Sequence, residues 1–201
     1  PPFLADAMRT EQIDGFCVGE PWSSVAVEAG VGHIVTTTTA IWPLSPEKVI
    51  GCRAEWASEN GDRLDALIRA LYRSALWCED PANRSDLAHM LGASRYIGAS
   101  QNLLQNALAN RLSLSAGLPP VSIPDFYFMA KHHATFPWVS HALWFYSQML
   151  RWHQVEEAVG DIGVVRNTYR PDIYRRALAP LKLDLPSADT KVERFFDEGL
   201  F

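Results

Sequence analysis

Ile13-Asp14-Gly15-Phe16-Cys17-Val18-Gly19-Glu20-Pro21-Trp22 carries an apolar, β-prone run straight into Gly-Glu-Pro-Trp. The run is apolar on both faces, the pattern of a central strand in a sheet covered on both sides. Gly19 has no Cβ, so the backbone there can turn or approach a ligand closely. Pro21 fixes its own φ and restricts Glu20 to extended geometry. Trp22 adds a flat wall with one N–H donor. Two readings follow: one edge of a small-ligand pocket, or a strand end closed by a packed indole.

Working outward, Leu4 to Glu11 reads as a short helix, and Ser23 to Ala29 as a helix starting at the same corner. A helix N-terminus there suits an anion, through its unpaired N–H groups and dipole. Ser23 and Ser24 could donate to such an anion or cap the helix. Ile34 to Thr39 and Lys48 to Cys52 read as further strands, separated by the Trp42-Pro43 and Ser45-Pro46 turn. Asp62 to Cys78 is the clearest helix, with Leu64, Leu67, Ile68, Leu71, Ala75 and Cys78 at i, i+3, i+4 spacing. Helices follow at Ser85–Leu91, Ser100–Leu112, His141–His153 and Pro171–Leu178, and a polar tail runs from Asp184 to Phe201. Early alternation of strands and helices, then mostly helices, predicts an α/β fold with a helical C-terminal part. Residues 1–52 are expected to be strand-rich and 53–201 mainly helical.

The chain has 201 residues, enough to bury a real core. Its formal net charge is -5, and its 18 basic residues are scattered without a run. That argues against a nucleic-acid or anionic-membrane surface. No apolar stretch reaches the ~20 residues that span a bilayer. The sequence opens on Pro1-Pro2-Phe3 with no signal-peptide pattern before it, so a piece of a longer protein is expected. Cys17, Cys52 and Cys78 form neither a disulfide framework nor a CxxC metal signature. Adjacent His132 and His133 in a strand point to opposite faces, so packing or surface roles outweigh a shared metal with His141. Asp14 and Glu20 sit at opposite ends of the expected strand, too far apart for an acid–base pair. Nucleophile, P-loop and dinucleotide motifs are missing. A pocket edge without a reaction favours a binding protein over an enzyme.

Five segments, in order, resemble the nitrate- and bicarbonate-binding proteins of ABC transporters and the related cytoplasmic nitrate sensors. The opening segment is similar to the family's DGYCVGEPW. Ile41-Trp42-Pro43 with Pro46-Glu47-Lys48-Val49-Ile50-Gly51 is similar to its IW and HPEKVxG. Ala75 to Arg84 is similar to AxxWCDxxxNR, and Thr135 to Phe145 with Arg151-Trp152 to YPYxSHxxWF and RWG. Val192 to Gly199 is similar to ETFFDG.

The resemblance implies an α/β periplasmic-binding-protein fold of the second type, whose two lobes close on a ligand. This chain would hold the C-terminal portion, with parts of both lobes, residues 1–52 forming a ligand-lobe and hinge segment. It implies a periplasmic substrate-binding component of an ABC importer, with a permease and ATPase as partners and nitrate, nitrite or bicarbonate as ligand. Glu20 would lie nearest the ligand, with Gly19 and Trp22 beside it. A carboxylate beside an anion needs a proton, a bridging cation such as Ca²⁺ held by Glu20, or a ligand that donates a hydrogen bond, as bicarbonate does.

Two departures from the family pattern stand out. His153 replaces the glycine after Arg151-Trp152. Leu112 to Lys131 is compact, a trait closer to the cytoplasmic sensors, which pair with an RNA-binding antiterminator. The alternative from another class is an enzyme similar to thiamine-pyrimidine synthases, for which Cys17 is the catalytic candidate.

Overall fold

The computed structural model describes residues 2–156 and 162–201. The chain forms two compact units, Pro1–Ile41 with Trp77–Phe128, and Trp42–Leu76 with Met129–Phe201. The polypeptide therefore crosses between units after Ile41, Leu76 and Phe128. The expected division near residue 52 cuts across this arrangement.

In the first unit α1 spans Leu4–Arg9, α2 Trp22–Glu28 and α3 Thr38–Ile41. Further on, α6 (Arg84–Gly92) and α7 (Gln101–Leu108) pack together. Their apolar faces bury Leu87, Ala88, Leu104 and Leu108, with Val25 and Tyr127 packed against them. Ser100 caps α7, accepting the Leu103 N–H at 3.4 Å. The strands β1 (Arg111–Leu112) and β2 (Val121–Ser122) pair antiparallel, with Leu112 opposite Val121 and only 2% exposed. Asn110, in the left-handed region at φ 58°, turns the chain into this hairpin. Its side chain accepts the Tyr127 N–H at 2.6 Å. Asn tolerates that conformation because its short polar side chain bonds locally.

The second unit holds α4 (Ala54–Glu59), most of α5 (Gly61–Glu79), α8 (Val139–Arg151), α9 (Ile162–Thr168) and α10 (Pro171–Leu178). Pro171 occupies the first turn of α10, where a missing N–H costs nothing. Phe136, Trp138, Tyr174 and Leu178 form its main core, with Ile68 and Tyr72 packed against them. Phe136 meets Trp138 and Tyr174 edge-on at 4.7 and 5.4 Å. A second cluster joins Val139, Ala142 and Val165. The Arg176 guanidinium bonds both Asp65 oxygens at 2.8 and 3.2 Å, tying α10 to α5.

Several expectations are corrected. The helix expected over 62–78 forms, but its buried face runs through Leu64 and Ala75, while Leu67 and Leu71 are 41% and 37% exposed. Residues 13–19, 34–37 and 48–52 carry no assigned strand, and 38–41 is a helical turn. A strand exists only when its N–H and C=O groups meet a partner, and among the described residues the only sheet is β1–β2. Propensity without a partner leaves these segments irregular, with Val35, Val49 and Ile50 at 85%, 65% and 73% exposure. The first 52 residues are thus helical turns and irregular segments rather than strand-rich. Among the described residues no helix is long and apolar enough to cross a membrane.

Candidate functional site

Residues 15–19 carry no assigned secondary structure, and along them exposed and half-buried residues alternate. Gly19 is exposed, and a Cβ placed on it would meet nothing within 4 Å. The glycine therefore keeps an open surface rather than resolving a crowded one. Pro21 is fully buried and is the N-cap of α2, so the helix begins at Trp22, one residue earlier than expected.

Glu20 is half-buried, and its Oε2 accepts the Ser24 backbone N–H at 3.4 Å. Ser24 itself is 5% exposed. The negative group at the start of α2 is thus the protein's own carboxylate, and one of the N–H groups of that helix start is taken by it. Burial pushes the Glu20 carboxyl up from its ordinary value, and the hydrogen bonds from Ser24 partly offset that. Trp22 is half-buried on the first turn of α2, next in sequence to Pro21. Asp14 and Cys17 are exposed.

The donor set does not by itself make a calcium site. Ca²⁺ takes six to eight oxygens, and among the described residues no group of three His, Cys, Asp or Glu side chains converges. The first unit also carries a groove of about 430 Å³ lined by Thr36, Thr37, Thr39, Leu114 and Ile123; Gly19, Glu20 and Trp22 do not line it. His132 and His133 are exposed and both adopt positive φ, 57° and 53°, in a short turn rather than a strand.

The second unit holds a polar cluster that the sequence reading missed. Glu193 is 3% exposed. Its Oε1 accepts from His141 Nε2 at 2.6 Å and Lys191 Nζ at 2.9 Å, and its Oε2 from Trp42 Nε1 at 3.1 Å. Burial alone would raise this carboxyl. Hydrogen bonds from His141, Lys191 and Trp42, with the Lys191 charge, outweigh that and lower it to about 2. Trp42 is wedged among Trp144, Phe195 and His141, with ring centroids at 4.8, 5.0 and 6.1 Å. The carboxylate is ionised, saturated by donors and closed to solvent, so it serves as a clasp and not as an acid or base. Trp42, His141 and Glu193 each lie in a segment that carried the resemblance, which was the available signal.

The NMT1-like family matches residues 1–92. The fold agrees with the crystal structure of the periplasmic nitrate-binding protein NrtA from Synechocystis PCC 6803. The TM-score is 0.93 and the identity 26%, over 100% of this chain and 54% of that one. The chain therefore has the periplasmic-binding-protein fold, in its C-terminal portion.

Its resemblance to nitrate/nitrite- and bicarbonate-binding proteins holds along the whole chain. It is 30% identical to the nitrate/nitrite binding protein NrtA of Synechococcus elongatus (strain ATCC 33912 / PCC 7942 / FACHB-805), over 100% of this chain and 46% of the relative. It is 27% identical to the bicarbonate-binding protein CmpA of Synechococcus sp. (strain ATCC 27144 / PCC 6301 / SAUG 1402/1), over 94% of this chain and 45% of that protein. It is also 29% identical to part of the nitrate import ATP-binding protein NrtC of Synechocystis sp. (strain ATCC 27184 / PCC 6803 / Kazusa), over 88% of this chain and 26% of NrtC. The chain spans about half the length of the nitrate/nitrite- and bicarbonate-binding relatives.

Proposed function

We propose that the chain is part of the substrate-binding component of an ABC importer for a small oxyanion, with nitrate or nitrite as ligand and bicarbonate as the competing candidate. The observation that carries this is whole-chain similarity to the nitrate/nitrite binding protein, joined to a TM-score of 0.93 with a nitrate-binding structure. The role is binding and not catalysis, and the compartment is the periplasm. Similarity to part of an import ATP-binding protein supports a transporter ATPase as a partner.

In this reading the Gly19-Glu20-Trp22 corner faces the ligand. Gly19 leaves the approach open, and Trp22 provides a flat wall. Glu20 decides selectivity. Nitrate offers acceptors only, so an ionised Glu20 repels it and a protonated Glu20 donates to it. Bicarbonate carries its own proton and donates to the ionised carboxylate. The desolvation that raises the Glu20 carboxyl favours the protonated partner for nitrate.

The test is calorimetry on the full-length protein with nitrate, nitrite and bicarbonate, each with and without Ca²⁺. Nitrate or nitrite binding more tightly than bicarbonate, without Ca²⁺, supports the reading. Affinity that appears only with Ca²⁺ assigns Glu20 to a cation. No binding of any of the three overturns the oxyanion assignment. Turnover of a thiamine-pyrimidine precursor that Cys17→Ala abolishes would instead assign an enzyme.

A second reading is a cytoplasmic nitrate or nitrite sensor that passes ligand closure to a protein partner. The compact Leu112–Lys131 connection favours it, built as a two-residue-per-strand hairpin. A secretion leader or lipid-attachment site in the full-length gene product decides for transport. Ligand-dependent capture of an RNA-binding antiterminator decides for the sensor.

A further inference from the structure

Burial changes abruptly at the crossing after Ile41: Ile41 is 45% exposed and Trp42 only 7%. Much of what covers Trp42 comes from the last residues of the chain. Glu193 accepts the indole N–H, and Phe195 lies against the ring at 5.0 Å. This terminal segment contains no helix. Glu193 and Phe201 exchange backbone hydrogen bonds at 2.9 and 3.1 Å, and Arg194 bridges Leu200, closing a small loop.

The loop is fastened to the start of α8 at two backbone points. Val139 N–H donates to the Asp189 carbonyl at 2.9 Å, and Lys191 N–H to Ser140 Oγ at 3.2 Å. Its outward side chains add little burial, with Val192, Phe196 and Leu200 at 68%, 72% and 62% exposure. Arg175 also donates to Asp189 Oδ1 at 2.7 Å in a partly exposed pair, and Lys191 Nζ lies 5.5 Å from the Trp138 ring centroid. The buried attachments converge on one carboxylate, which joins Trp42, His141 on α8, and Lys191 of the segment itself. A segment held by few buried contacts opens locally at lower cost than the core around it.

We propose that residues 189–201 form a strap that closes over Trp42, with Glu193 as its bolt. Undocking the strap frees the indole while the helical core of the second unit stays folded. The inference concerns the second unit alone and stands whatever anion the protein binds.

Amide exchange by mass spectrometry on the full-length protein tests it, comparing wild type with Glu193→Gln and Phe195→Ala. Exchange should rise about tenfold or more in peptides covering residues 42–46 and 189–201 together, with wild-type rates kept over α7 and α10. Faster exchange in 189–201 with 42–46 unchanged overturns the proposal, as does no change in either peptide. If Glu193→Gln also opens α10, Phe195→Ala decides by the same two outcomes, because it removes a ring and leaves the buried charge paired.

Discussion

Glu193 and His141 meet through a 2.6 Å hydrogen bond across 52 residues of sequence, inside the second unit. The bond sits with two others on one carboxylate, so removing that carboxylate strands three donors at once. Breaking a buried charged pair by deleting one partner costs about 3–5 kcal/mol, because the remaining group stays buried and unpaired. Glu193→Ala should therefore destabilise the protein by about 3 kcal/mol. Urea unfolding at pH 7 measures it, and a loss below roughly 1 kcal/mol, the scale of an exposed pair, would contradict the clasp.

The same carboxylate sets an acid limit. Its value in the folded protein is about 2 against 4.5 for a free glutamate. A lowered carboxyl stabilises the fold fully above the unfolded value and loses that stabilisation as pH falls through the folded value. The window is therefore pH 4.5 down to 2, and the loss across it is about 3 kcal/mol at 1.36 kcal/mol per unit. His141 and Lys191 both donate to this carboxylate and lose its negative charge once it is protonated. Acid unfolding of Glu193→Gln should be flatter between pH 4.5 and 2 than that of wild type.

Arg175 supports the preceding stretch of the same tail. Its guanidinium donates to the carbonyls of Pro186 and Ala188 at 2.7 and 2.9 Å and to Asp189 Oδ1 at 2.7 Å, while lying 4.9 Å over the Phe136 ring. Lysine keeps the charge but has no planar fork to span these acceptors. Arg175→Lys should cost about 1.5–3 kcal/mol, the worth of one lost charged hydrogen bond. Equal midpoints for variant and wild type in urea would show that the fork is dispensable.

Local pattern in the sequence revealed local structure. The apolar spacing from Leu64 to Cys78 placed α5 within a residue at each end, and Ser100 and Pro171 marked the starts of α7 and α10. Long-range pairing was not legible. The segments at 13–19, 34–37 and 48–52 have strand composition, but a strand is a relation between two segments, and composition reports only one. For the same reason Trp42 read as a turn residue beside Pro43. Its burial comes from His141, Trp144, Glu193 and Phe195, all far along the chain. At the candidate corner, Glu20, Pro21 and Trp22 were visible because rigidity is local, whereas the Ser24 N–H closing on Glu20 depended on where α2 begins.

Glu20 gives the sharpest prediction about ligand choice. Its carboxyl is raised by burial, so the folded state holds its proton more tightly than the unfolded chain does. The sign for stability is then opposite to that of Glu193. Glu20 favours the fold at low pH and disfavours it as pH rises through its folded value. Glu20→Gln keeps an oxygen for the Ser24 N–H and removes the charge, so it should raise the melting temperature at pH 7.5 and lose that advantage near pH 4. If the corner also holds the ligand, the same substitution should tighten nitrate binding at pH 7.5 by roughly tenfold, about 1.4 kcal/mol of relieved repulsion. It should weaken bicarbonate binding, since Gln in its place accepts a proton less strongly than a carboxylate does. Wild-type nitrate affinity should rise as pH falls, and the variant's should not. Calorimetry on the full-length protein at pH 5.5 and 7.5 measures all of these. Unchanged affinity for every anion, alongside the predicted shift in melting temperature, would leave Glu20 as a helix-start residue outside the pocket.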